Sequence, residues 1–188
     1  GEACLIRYAD DFVCAFEHQA DAQRFYEVLG KRLGKFGLEL SAEKTQVIAF
    51  RAMPEPSQTS FNFLGFEFRW GKDRAGKGHV QRRTARKNLR NSLKRFNEWC
   101  RQNRHLRLPE LFRQLNAKLR GHYNYYGIKG NSASLTQFHS QALPMLLKYL
   151  NQRSQRRSYN WAGFTQLLEQ FGVEKPRIHE RPKRVGRM

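Results

Sequence analysis

The sequence predicts an α+β chain: an antiparallel β-hairpin, a helix and further strands, followed by an all-α helical bundle. Two apolar runs near the start, Cys4-Leu5-Ile6-Arg7-Tyr8 and Phe12-Val13-Cys14-Ala15-Phe16, are separated only by Ala9-Asp10-Asp11, the pattern of two strands around a tight turn. Beyond residue 78 the short runs give way to apolar residues spaced by three or four, which is the period of a helix. Charge divides in the same sense. Residues 1–60 hold seven Lys/Arg and nine Asp/Glu, net −2, whereas residues 61–188 hold 28 and seven, net +21.

Element by element, Ala22, Phe25, Tyr26, Leu29, Leu33 and Phe36 line one face of a helix over residues 19–36, with Gly37 as its C-cap. Leu38-Glu39-Leu40 and a polar link through Lys44 lead to a strand over residues 45–50 and a Pro/Ser loop over 53–60. Residues 61–70 form a long aromatic strand or strand pair broken at Gly65, and residues 71–78 an exposed turn or linker that marks the domain boundary. Helices are expected over 82–103, 109–127, 132–152 and 160–171. Pro109 suits a first turn, and Asn131 or Ser132 an N-cap. The expected organisation is a mixed strand–helix part (1–78), a helical part (79–172) and a basic, irregular tail (173–188) containing Pro176 and Pro182. Gly1 stands directly before a strand and is not Met, so the chain is expected to lack its natural beginning.

Composition narrows the function classes. No apolar run approaches the roughly 20 residues that span a bilayer, and no membrane partner is expected. Cys4, Cys14 and Cys100 form no CxxC, and an odd number suits free thiols in a reducing compartment. The whole chain carries +19, concentrated in its later part, which points to a polyanion. A cytoplasmic protein with a nucleic-acid partner is the resulting expectation.

Asp10 and Asp11 are the sharpest chemical feature. Adjacent carboxylates repel, so a tight turn holding both calls for a neutralising cation. Mg²⁺ suits them, because it takes carboxylate oxygens while leaving positions for substrate phosphates; Mn²⁺ is the alternative. A solvated Asp-Asp turn is the plainer reading of the dipeptide taken alone.

Three blocks in order specify more. Tyr8-Ala9-Asp10-Asp11 resembles the YADD hairpin of reverse transcriptase palms, Gly37-Leu38-Glu39-Leu40 with Glu43-Lys44-Thr45 resembles the block after it, and Phe63-Leu64-Gly65-Phe66 resembles the hairpin that grips the primer. Leu119-Arg120-Gly121-His122-Tyr123-Asn124-Tyr125-Tyr126-Gly127 resembles the helix motif of the thumb, or maturase X, domain of group II intron reverse transcriptases. The resemblance implies a partial reverse-transcriptase palm followed by an all-α thumb/X bundle. The activity it implies is an RNA-directed DNA polymerase of a mobile element, extending a DNA primer on an RNA template with Mg²⁺ and deoxynucleoside triphosphates, and binding intron RNA to assist splicing.

Residue by residue, the resemblance makes Asp10 a metal ligand and Asp11 its supporting neighbour. It turns Lys44 toward the incoming triphosphate and makes Phe63, Leu64 and Gly65 the primer grip. Gly65 is read as a point where backbone approaches a nucleic-acid strand closely, and Lys44 alternatively as a solvated lysine. The family's first catalytic aspartate lies on an earlier strand that does not precede Gly1. These residues alone are therefore expected to be inactive, and to need the missing fingers and palm or a homodimer partner.

The basic surface is read from spacing. At 100° per residue Arg83, Lys87, Arg90, Lys94 and Arg101 fall within about 60° of one another, roughly 120° from a Leu89, Leu93, Phe96 and Cys100 stripe. One face packs and the other meets phosphates. Arg120 and Tyr123 join this set, Tyr123 and Tyr125 as stacking platforms for unpaired bases. Arg153, Arg156 and Arg157 either bind phosphate or lie in solvent. Tyr126 and the leucines 143, 146, 147 and 150 are expected in the core, and His122 is expected to be packed. The alternatives are a non-catalytic RNA-binding maturase module, or a CRISPR-associated or retron-type reverse transcriptase.

Overall fold

In the computed structural model, residues 1–50, 59–73, 75–153 and 159–180 are described. Residues 53–58 of the loop expected over 53–60, Arg156, Arg157 and the end of the tail, with Pro182, lie outside them. Antiparallel strands and, among the described residues, five helices make a mixed α/β chain. It divides into two compact units, Gly1–Gln81 and Arg82–Met188.

In the first unit, β1 (Ala3–Tyr8) and β2 (Asp11–Phe16) pair antiparallel in a two-stranded sheet, from Ala3 opposite Phe16 to Tyr8 opposite Asp11. Helix α1 (Gln19–Gly34) follows, and Phe25 sets its ring 5.2 Å from that of Phe16 on β2. The helix ends as its sequence dictates. Leu38 N–H donates to the Leu33 carbonyl and Gly37 N–H to that of Gly34, the paired bonds of a Schellman motif, with Gly37 at φ 68°.

No strand forms over residues 45–50, against expectation. A strand requires a hydrogen-bonded neighbour, and neither sheet among the described residues pairs with this segment. The backbone of Thr45 turns back instead, its N–H and hydroxyl both donating to the Ser41 carbonyl. Phe50 still packs, its ring 5.1 Å from that of Phe61 and 5.5 Å from that of Trp70.

A second sheet holds β3 (Ser60–Phe63), β4 (Phe66–Lys72) and β5 (Gly78–Thr84), in that order. Residues 61–70 are thus a strand pair, with Phe61 stacked on Phe68 across it. The third strand occupies residues whose cations are spaced as on a helix, so α2 begins at Arg86 rather than near 82. Turn chemistry decides this. The Asp73 carboxylate accepts from the N–H groups of Ala75 and Lys77, Asp73 N–H donates to the Lys77 carbonyl, and Gly76 takes φ 79°. The chain therefore folds back at once into β5, and Gly71 leaves the space that the Gln81 side chain fills.

The second unit is built from α2 (Arg86–Asn103), α3 (Leu108–Tyr126), α4 (Ser132–Asn151) and α5 (Trp161–Gln170). Pro109 stands in the first turn of α3, where a missing N–H costs nothing. Asn160 caps α5 by accepting from Gly163 N–H at 2.8 Å. Leu93, Phe96 and Cys100 of α2, Leu111, Phe112, Leu115, Leu119 and Tyr123 of α3, Leu135, Phe138, Leu146 and Leu150 of α4, and Phe164 of α5 are buried together. Leu143 and Leu147 are half-buried at its edge. No helix among the described residues is long and apolar enough to cross a membrane.

Asn131 ties these elements together. It stands at the α4 N-cap position, yet its side chain makes no capping bond. Fully buried, it accepts from Thr84 N–H and donates to the Thr84 hydroxyl and the Tyr126 carbonyl, all at 2.8 Å. One amide thus pins the end of β5 and the end of α3 beside the start of α4.

Candidate functional site

The β1–β2 hairpin closes with two residues, Ala9 and Asp10, between the facing pair Tyr8 and Asp11. So short a turn needs a left-handed residue, and Ala9 takes that position at φ 51°. Arg7 braces it from within the strand, its Nε donating to the Ala9 carbonyl at 2.8 Å. The result is an exposed tip bearing two adjacent carboxylates next to an exposed Tyr8 ring. Hard carboxylate oxygens are the donors Mg²⁺ takes. Among the described residues no group of three or more His, Cys, Asp or Glu is placed to hold a metal ion. The aspartates thus fit such an ion as part of a ligand set.

Lys44 lies on the exposed turn after Ser41, and no hydrogen bond or ion pair among the described residues joins it to either aspartate. Phe63 ends β3 and faces Phe66, with Leu64 at φ 48° and Gly65 at φ 79° between them. Two left-handed residues in succession are the geometry of a type I′ hairpin. Gly65 therefore has a requirement of its own in the turn, independent of any strand of nucleic acid approaching it.

The cations separate into open and engaged groups. Lys87, Arg90 and Lys94 are exposed on α2, with no ion-pair partner among the described residues. Arg101 extends the same face but holds Glu98 at 2.7 Å. Arg83 belongs to β5 and is not part of that helical stripe. Arg120 is bound by the Glu174 carboxylate at 3.0 Å, and the Arg153 guanidinium donates to the Leu106 carbonyl.

Tyr123 requires correction. Its side chain is 0% exposed, within the core, and cannot stack on a base. Its place at four-residue spacing from Leu115 and Leu119 already carried that signal. Tyr125, by contrast, is 55% exposed and lies at the surface. His122 is packed, its ring stacked 3.8 Å from Phe138, and burial holds its pKa down at about 4. Its Nε2 and the Tyr123 hydroxyl are buried with no hydrogen-bond partner among the described residues.

Sequence reasoning missed Arg7, the two glutamates Glu174 and Glu180, and the buried bonds of Asn131, which it read only as an N-cap candidate. Arg7 was legible as a donor two residues before a turn. Each of the others makes a bond across 47 or more residues, to Thr84, Arg120 or Arg82, beyond any local pattern.

Residues 2–68, a segment containing both two-residue hairpins, match the family model described as Reverse transcriptase (RNA-dependent DNA polymerase). No curated protein matches the chain.

Proposed function

We propose that this chain is the palm end and thumb of an RNA-directed DNA polymerase of the group II intron type, with residues 1–78 as palm, 79–172 as thumb and intron RNA as a further ligand. The observation that carries the reading is the reverse transcriptase match over residues 2–68, with the Asp10–Asp11 tip inside it. The block at residues 119–127 and the open cations of α2 support the intron-type thumb. Asp10 and Asp11 would hold Mg²⁺ together with carboxylate supplied from outside the described residues. The ion supplies charge stabilisation for the oxygens of an in-line displacement. The protein's own part is placement. The braced turn fixes where the carboxylates stand, Tyr8 flanks the primer end, and Lys87, Arg90 and Lys94 hold the backbone of the template–primer.

The test is primer extension on an RNA template by the polypeptide of the whole reading frame that contains these residues. Asp10→Asn, with folding unchanged by circular dichroism, should reduce extension to background; undiminished synthesis removes Asp10 from the metal site. RNA affinity should fall steeply with salt, and the triple change Lys87→Gln, Arg90→Gln, Lys94→Gln should reduce the slope by about 2, near 0.7 for each single-strand phosphate no longer neutralised. An unchanged slope removes these residues from the interface. Assisted splicing left intact by Asp10→Asn shows a maturase role independent of polymerisation, and a non-catalytic module is favoured only if the unaltered polypeptide binds RNA without extending a primer.

A further inference from the structure

The second unit holds 24 Lys/Arg and only five Asp/Glu, so where its carboxylates go is informative. Glu98 and Glu110 pair one helical turn away, with Arg101 and Arg113. Glu174 and Glu180 behave differently. Both lie on residues 173–180, which follow α5 without helix or strand, and both reach arginines far away in sequence.

This segment is anchored at two ends. Asn116 donates to the carbonyls of Phe171 and Gly172, and accepts from Glu174 N–H at 2.9 Å. At the other end the N–H groups of His179 and Glu180 donate to the Gly127 carbonyl, at 2.7 and 3.2 Å. Gly127 must be glycine here, since a Cβ would collide with the Tyr123 and Arg177 carbonyls. Glu174, 19% exposed, meets Arg120 through Nη2 at 3.0 Å and Nε at 3.1 Å, with Arg177 at 3.7 Å. Glu180 takes the Arg82 guanidinium at 2.9 and 3.1 Å and the Lys129 N–H at 2.7 Å. That N–H, followed by Arg82, holds the Glu180 carboxyl below the usual carboxylate range, so it is ionised at neutral pH.

We infer that residues 173–180, with two glutamates balanced by Lys175 and Arg177, are a strap whose carboxylates occupy Arg82 and Arg120 in place of phosphate, leaving nucleic-acid backbone to the open cations of α2. The inference rests on the nucleic-acid reading above. A guanidinium fork matches carboxylate and phosphate alike, and a bound carboxylate cancels the charge that would attract a phosphate. Because the strap is tethered at both ends, its carboxylates compete intramolecularly, at an effective concentration set by the tether rather than by the solution. Among the described residues, Lys87, Arg90 and Lys94 face no such competitor.

The test uses the full chain and two probes, inorganic tripolyphosphate and a single-stranded RNA 20-mer. The double change Glu174→Gln, Glu180→Gln should tighten tripolyphosphate binding at least threefold, and adding Arg120→Gln should cancel about half of that gain. A folded double variant that binds no tighter overturns the strap. In the unaltered chain, the Arg120 Nε–H resonance should stay in place at saturating tripolyphosphate while that of Arg90 moves. Both moving at one midpoint overturns it, whether or not the double variant folds. A strap response to tripolyphosphate without RNA binding supports the strap and sinks the RNA role; RNA binding that shifts Arg120 in the unaltered chain does the reverse.

Discussion

The two units hold comparable kinds of residue and use them differently. No described residue before Thr84 is buried, although Leu5, Ile6, Tyr8, Val28, Phe36 and Leu38 are all large and apolar. From Thr84 onward the same residue types make a closed core across four helices. The first unit is held by local devices: a strand register, a Schellman motif, an Asx turn and ring pairs. The second is held by packing between distant segments. On β1 Leu5 and Ile6, on opposite faces, are 63% and 58% exposed, although apolar residues on both faces are the pattern of a strand covered on both sides. The difference lies in which residues have partners, and composition is blind to it.

The sharpest way to break this comparison is thiol labelling. Cys4 is exposed, whereas Cys100 is buried and its thiol is pushed up to about 12 by that burial. Under native conditions Cys4 should react as a free thiol and Cys100 at least about 1,000-fold more slowly, since it needs global opening. Comparable rates would show that the second unit opens as readily as the first. Next in size is truncation. Leu115→Ala, at a site 0% exposed, should destabilise by about 3–4 kcal/mol in urea titration, whereas Leu5→Ala should change stability by less than about 0.5 kcal/mol.

The smallest effect is acid sensitivity. Burial lowers the pKa of His122 to about 4, below its ordinary 6.5, so the unfolded chain takes up the proton first. The stabilisation is complete above pH 6.5 and disappears as pH falls toward 4. It should amount to about 1–2 kcal/mol, discounted because the ring is partly exposed. His139 shifts the same way, by burial and then by Lys175. Urea midpoints at pH 7 and pH 5 should separate, and His122→Phe should narrow the gap.

What the sequence made legible follows from range. Helices α1, α3, α4 and α5 were readable to within a few residues, because their periodicity and the Gly37 and Pro109 signals are local. The strand pair around Gly65 was readable for the same reason. Strand β5 was not, because Val80 is the one apolar residue in Gly78–Thr84 and the signal for a strand sits in the Asp73 turn before it. The strand expected over 45–50 failed for the opposite reason: its residues suit a strand, but pairing is non-local. At the candidate site, the carboxylate tip was readable from four consecutive residues. That Arg120 already holds Glu174, and that Tyr123 rather than Tyr125 is enclosed, depends on how α3 meets its neighbours.

The two-residue turn at Ala9 and Asp10 makes the hairpin tolerant of substitution and intolerant of changes in length. Side chains alternate faces along a strand, so adding or removing one residue between Tyr8 and Asp11 would either reshape the turn or slide β2 by one position. Sliding it would send every β2 side chain to the opposite face of the sheet. Phe16 would leave Phe25, and Asp11 would no longer face Tyr8. The interval between tyrosine and aspartate therefore works as a fixed gauge, and divergence in this segment should appear as exchanged residues at constant spacing.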